Sequence, residues 1–227
     1  MDTGRIAELL AAFTGTAELP ARLLERLQLY LDLLLKWNAR VNLTAVREAE
    51  QIVTRHFGES LFGAKLVFGN SPGQQCGDEF LPDESPEGRP SITLADVGSG
   101  AGFPGIPMKL WVPQIQLTLI ESQNKKATFL REAVRMLKLE GADVFCGRAE
   151  DWQQLADVVS LRAVERFEHA LPVAAGLVKP GGKLCLLLGS NQMQSARELS
   201  GQGWTWRDPV AIPLSTGRMI VVGERGS

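Results

Sequence analysis

A chain of 227 residues with a net charge of −2, 44% hydrophobic and 22% charged, has the balance of a soluble globular protein and not of a disordered one. No run of about 18 apolar residues and no basic-then-apolar leader occurs, so neither a membrane span nor an export signal is expected. Three cysteines (Cys76, Cys146, Cys185) and two histidines show no metal-ligand spacing, which argues against a zinc site and fits a reducing cytoplasm.

In chain order, residues 5–36 read as helices, with Leu23, Leu27, Tyr30, Leu31, Leu34 and Leu35 on one broad apolar face. "WNARVNLTAV" breaks that pattern, with Asn38 and Asn42 as turn or capping residues. A further helix is expected through "EAEQIVTRHFGESLFGAKLV". The stretch from Gly69 to Pro90 is crowded with Gly, Pro and Ser. It carries five acids (Asp78, Glu79, Asp83, Glu84, Glu87) against Arg89. It reads as an acidic, flexible insertion of net charge −4, leaving the rest of the chain at +2. So mild a balance neither supports nor excludes an RNA partner.

From residue 91 short apolar runs alternate with helical ones. Strands are expected at 91–97, 115–122, 142–147, 156–162, 183–189, around 204–214 and at 218–224, and helices at 124–140 and 166–178. That alternation predicts a doubly wound parallel sheet, and the short link between the last two strands predicts an antiparallel pair. The expected fold is α/β, a Rossmann-like seven-stranded methyltransferase fold. Residues 1–68 are expected to form an N-terminal helical extension packed on it, 69–90 the insertion, and 91–227 the core that holds the ligand.

"LADVGSGAGFPGIPM", Leu94 to Met108, is a strand running into a glycine turn. No Gly-Lys-Ser/Thr follows, so it is not a phosphate-binding P-loop. Gly98 and Gly100 let the turn approach a ligand closely. Asp96, two residues before Gly98, would repel a pyrophosphate and attract the ammonium and sulfonium of S-adenosylmethionine (SAM), which tips the balance from a dinucleotide to SAM; the lesser alternative is an acid that caps the next helix. Glu121, ending the next strand, can take both ribose hydroxyls, a role that NAD enzymes share. The turn "CGRAEDW" (146–152) lies where an adenine ring passes, within reach of backbone groups of Ala149 and Glu150, with Trp152 or Phe103 near the ring. His56 could face the cleft or join the helices to the sheet, and His169 is expected only to pack on its helix.

Together, "LLLKWNARVNLTAV", "RHFGESL", "DVGSGAGFPGIP", "NKKATFLREAVRMLKLE", "GRAED" and "LRAV" resemble the RsmG/GidB family, the bacterial 16S rRNA guanine-N7 methyltransferases, over roughly residues 25–225. The resemblance implies SAM as cofactor and 16S rRNA or the small ribosomal subunit as partner. It implies guanine 527 in the usual rRNA numbering as target, and a cytoplasmic monomer without metal or membrane. It places SAM contacts at Gly98 and Phe103, adenine contacts at Ala149 and Glu150, and a basic residue at the cofactor edge, Arg162. Arg148, Arg162 and Arg218 become candidates for RNA. The chain departs from the family at Ser160, one position off, and at Leu188, where a lysine is usual.

Guanine N7 has an in-plane lone pair and no proton to remove, so no general base is needed and none is evident. Cys146 and Cys185 read as core thiols, not as nucleophiles. Lys125, Lys126, Arg131, Arg135 and Lys138 read as a solvated helix face. A SAM-dependent enzyme acting on another RNA or a small molecule, and a non-catalytic SAM-binding protein of the ribosome, stay open on these residues alone. Deleting Gly73 to Glu87 is expected to leave SAM affinity unchanged in isothermal titration calorimetry; a large loss would make the insertion part of the site.

Overall fold

The fold is taken from a computed structural model that describes residues 1–69, 92–162 and 167–226. Its elements are, in chain order, α1 (Thr3–Thr14), α2 (Ala21–Val41), α3 (Ala49–Ile52), a π-helical segment Val53–Gly58, α4 (Glu59–Phe68), β1 (Thr93–Val97), α5 (Gly105–Trp111), β2 (Gln116–Glu121), α6 (Asn124–Met136), β3 (Ala142–Cys146), β4 (Ala156–Arg162), α7 (Phe167–Gly176), β5 (Val178–Gly189), α8 (Met193–Leu199), β6 (Trp204–Trp206), β7 (Val210–Ala211) and β8 (Arg218–Arg225). The expected acidic insertion, Cys76, and the first residues of the strand expected at 91 and the helix expected at 166 lie outside the described residues.

The sheet runs β3-β2-β1-β4-β5-β8-β6, with β7 also on β8. β1 to β5 pair in parallel, and β8 inserts antiparallel beside β5. This is the expected doubly wound order closed by an antiparallel hairpin. The strand expected across 204–214 is broken in two. Trp206 faces Gly223 while Val210 faces Ile220, so four steps on one strand oppose three on the other. Pro209 lies in that bulge, where its missing N–H costs no ladder bond.

Period-two alternation divides the core. Leu94, Val158, Cys185, Leu187 and Ile220 face one layer, where they share a core with Ile6, Leu27, Tyr30, Phe57 and Leu61 of the N-terminal helices. Ala95, Val159, Leu161, Leu186 and Leu188 face the other, against Leu171 and Ala174 of α7 and Ala196 of α8. The N-terminal helices therefore share the core of the sheet.

The predicted break after α2 holds through Asn38. Its buried side chain donates to the carbonyls of Thr44 (3.0 Å) and Val46 (3.3 Å) and accepts from the Thr44 N–H (2.9 Å). Asn42 ends α2 in the left-handed region, at φ 51°. The expected helix after it forms, but one turn of it is π-helical. α6 stops four residues short of its expected end, because Lys138 turns to φ 49° and Gly141 to φ 65° before β3. Asn38→Ala strands three backbone groups and is expected to cost about 1–3 kcal/mol, read as a lowered midpoint in urea denaturation. An unchanged midpoint would contradict this role.

Candidate active site

The glycine turn sits at the carboxyl ends of β1 and β2, where open α/β sheets bind ligands. Gly98, Gly100 and Gly102 take φ of 68°, 57° and 90°. At Gly102 a Cβ would stand 2.5 Å from both the Tyr30 hydroxyl and Ile106, so no larger residue fits. Five of the turn's N–H groups are used internally. Those of Gly98 and Ser99 donate to the Ile120 carbonyl, those of Gly102 and Phe103 to the Ser99 carbonyl, and that of Gly100 to Glu121 Oε2 at 2.9 Å.

Asp96 lies under the turn and is fully buried. Its carboxylate accepts from Ser160 Oγ (2.7 Å) and from the N–H of Gly105, the first residue of α5 (3.2 Å). Burial raises its pKa to about 6, against the pull of those donors. It is the capping acid of α5, so any attraction for a sulfonium acts through the field and not through contact. The displaced Ser160 has the neighbouring strand position opposite it, which explains the contact.

A cleft of about 380 Å³ opens beside the turn, its walls including Gly98, Glu121, Arg148, Ala149, Glu150 and His169. Five of these are predicted site residues brought together from β1, β2 and the turn after β3. Glu121 is only 5% exposed, with Oε1 accepting from the Gln123 N–H at 2.8 Å. His169 is a correction: it is exposed on the cleft wall instead of packed. Its place beside Glu168 in the first turn of a helix that is apolar from Ala170 onwards was the available signal.

Phe103, Trp152, Arg162 and Arg218 lie outside those walls. Trp152 is buried in the core against α7. The Phe103 ring turns into the helical layer, stacked on His56 (4.7 Å between centroids) and tilted against Tyr30 (5.4 Å) and Phe57 (5.8 Å). Burial holds the Tyr30 hydroxyl proton well above its ordinary range, and that hydroxyl donates to the Ala101 carbonyl of the turn.

Beyond Phe103 lies a cationic cluster. Arg162, at the end of β4, donates from Nη2 to Glu59 Oε2 (3.0 Å) and to the Arg55 carbonyl (2.6 Å), with its guanidinium carbon 6.0 Å from the Phe103 ring centre. Arg218, at the start of β8, pairs with the other oxygen of Glu59. Arg148 stays on the cleft wall, apart from this pair. Glu59 was missed: only its place in an apolar helix, in "RHFGES", marked it. Leu188 is 3% exposed and faces α7 and α8, the layer opposite Arg162 and Arg218. Cys185 is a core thiol with its pKa pushed up to about 12 by burial. Cys146 is only half-buried, donating to Asn124 Oδ1 at 3.1 Å. The basic residues of α6 are exposed, Lys126 in part.

The sequence and the fold both have relatives. The profile of the family described as rRNA small subunit methyltransferase G fits residues 23–78 and 83–204. The chain belongs to that family. A ribosomal RNA small subunit methyltransferase G of Xanthomonas euvesicatoria is 37% identical over 202 residues, covering 87% of this chain and 84% of the relative. Among solved structures, a ribosomal protein L11 methylase of Lactobacillus delbrueckii superposes with a TM-score of 0.57 at 10% identity, covering 77% and 80% of the two chains. A P. horikoshii TYW2, in complex with MeSAdo, superposes with 0.52 at 16% identity over 74% and 61%. These two share the fold. Among the described residues no group of three His, Cys, Asp or Glu could hold a metal, and no helix is long and apolar enough to cross a membrane.

His56 donates or accepts through Nε2 with Thr44 Oγ1 (2.8 Å), and its buried Nδ1 has no partner among the described residues. Burial, aided by Arg162, Arg55 and Arg218, lowers its pKa to about 3. The unfolded chain takes up this proton near pH 6.5 and the native chain only near 3. Stability is therefore full above pH 6.5 and falls on acidification towards 3. Compared with His56→Phe, the native chain is expected to lose up to about 1.4 kcal/mol more per pH unit between pH 6 and 4, read by urea denaturation. Asp96, raised, has the opposite slope but is common to both chains. Parallel pH curves would contradict a neutral buried His56.

Proposed function

We propose that the chain transfers the methyl group of SAM to N7 of one guanine of 16S rRNA, guanine 527 in the usual numbering, in the cytoplasm. The observation that carries the cofactor reading is the internal use of the glycine turn. In a dinucleotide site those N–H groups and the helix N-terminus behind them meet a pyrophosphate. Here they are bonded to Ile120, Ser99 and Glu121, and Asp96 covers the N-terminus of α5. With Asp96 beneath and Glu121 on the wall, the cleft suits a cation and a ribose diol and disfavours a phosphate. MeSAdo in the TYW2 neighbour is consistent with this.

Bound SAM supplies a methyl carbon already activated for in-line displacement. The chain's part is to hold and exclude. Glu121 takes the ribose hydroxyls, and the Ala149–Glu150 backbone with the α7 wall encloses the base. Phe103 and His56 close the side towards the helices. Arg162 and Arg218 take RNA phosphates near the acceptor guanine. N7 carries no proton, so the transfer needs orientation without a base. Among the described thiols, buried Cys185 has too high a pKa to act as a nucleophile for carbon methylation. Leu188 in place of the usual lysine faces the other layer, so the departure does not disturb the arginine pair.

The test gives purified protein labelled SAM and 30S subunits from a strain lacking this methyltransferase, then maps the labelled base. Label at N7 of a single 16S guanine is expected. Label at another atom, or SAM binding with no transfer to subunits or naked 16S rRNA, would contradict the reading. Glu121→Gln is expected to weaken SAM binding about tenfold or more by titration calorimetry, the scale of a charge-assisted hydrogen bond.

A further inference from the structure

Glu59 is a buried carboxylate, 2% exposed, brought by the N-terminal helices to the edge of a site that the sheet otherwise builds. The transfer described above gives it no step of its own. Yet two guanidinium groups from strands distant in sequence converge on it. Arg162 hydrogen-bonds Oε2 and Arg218 forms an ion pair with Oε1, and their side chains are 11% and 28% exposed.

The pair is more tightly fixed than an ordinary ion pair. Arg162 Nη2 is held twice, by Glu59 and by the Arg55 carbonyl. Its guanidinium carbon lies over the Phe103 ring, 6.0 Å from the ring centre. Those constraints set the plane of the group, and with it the direction of Nη1, which is buried and has no partner among the described residues. An orphan buried donor is costly unless something else meets it. Arg162 and Arg218 repel each other and Arg55 adds a third positive charge nearby; without the shared carboxylate they would separate towards solvent. The parity of the strands reinforces the arrangement. Asp96, Ser160 and Arg162 stand on strand positions facing the helical layer, as do Ile220 and Val222 on β8, so α4 is the element placed to join β4 and β8.

We propose that Glu59 is a positioning residue for methyl transfer: with one oxygen on each, it holds Arg162 and Arg218 side by side so that a phosphate of the RNA substrate meets both in one orientation. This rests on the methyl-transfer reading. A purely structural ion pair tying α4 to the sheet would change stability without separating turnover from binding.

The test compares the full-length wild type, Glu59→Gln, Glu59→Asp, Arg218→Gln and the double variant Glu59→Gln/Arg218→Gln. Methyl transfer to 30S subunits, the SAM dissociation constant and the unfolding midpoint are measured for each. Glu59→Gln is expected to lower kcat by about tenfold or more, with SAM affinity within about threefold of wild type. Glu59→Asp, one methylene short of spanning both guanidiniums, should fall between the two. Because Glu59 acts through the arginines, the double variant should be no slower than the slower single variant. A wild-type kcat in Glu59→Gln, or additive losses in the double variant, would overturn the proposal. Should Glu59→Gln fail to fold, Glu59→Asp at the wild-type rate would overturn it equally.

A wild type that transfers nothing counts instead against the methyl-transfer reading. The clamp is then judged by phenylglyoxal modification, mapped by mass spectrometry with Arg148 as the internal reference. Arg162 and Arg218 should react about fivefold faster or more in Glu59→Asp than in wild type, since their shared bonds protect them; equal rates would overturn it.

Discussion

The carboxyl edge of this sheet depends on one seam, where Phe103 of the glycine turn is packed between Tyr30, Phe57 and His56 of the N-terminal helices. A turn of glycines has little to hold it, since it lacks side chains that pack. Here the one aromatic residue in the turn is driven into the helical layer, and the Tyr30 hydroxyl fastens the Ala101 carbonyl from the same side. Buried aromatic contacts of this kind are worth more than their area alone. The turn's shape is thereby fixed before any ligand arrives, and the helical extension becomes part of the site.

The seam also separates charge. On the cleft wall Glu121 is the buried acid beside the turn, while Asp96 lies under the turn on the same face of the sheet as Arg162. On the helical side, Arg55, Arg162 and Arg218 gather around a single carboxylate, Glu59. In the proposed reaction the cationic cofactor would lie beside the acid of the cleft and the RNA beside the arginine cluster. That division would suit the proposed transfer, because arginines occupied by phosphate would be kept from a base that becomes cationic at N7. Burial raises the Glu59 carboxyl pKa while its three arginine neighbours pull it back, as expected where charge and desolvation compete.

How much of this was legible in the sequence varied with the physics involved. Strand β4 was read to the residue, 156–162, because it is a short apolar run whose side chains enter the core on both faces, Val158 on one and Val159 and Leu161 on the other. The walls of the cleft were legible for the same kind of reason: Glu121 and Ala149–Glu150 follow directly from where strands end. The orientation of Asp96 was not, because a carboxylate at that position can point at a ligand or at a helix N-terminus, and only tertiary packing of α5 and β4 decides. The bulge at Pro209 needed the register of β8, and the π segment left no propensity signature in "VTRHFG". Glu59 was hidden because its partners are more than a hundred residues away in sequence. Local pattern carries the sheet and long-range pairing carries the charge cluster.

One measurement bears most directly on the claim that the helical extension and the glycine turn form a single prebuilt site: a crystal structure with S-adenosylhomocysteine bound. The account predicts the ribose hydroxyls on Glu121, the adenine against Ala149 and Glu150, and the Tyr30–Ala101 bond and Phe103 stacking left in place. A ligand seated elsewhere, or a turn that abandons Tyr30 and swings Phe103 out to bind it, would contradict the account.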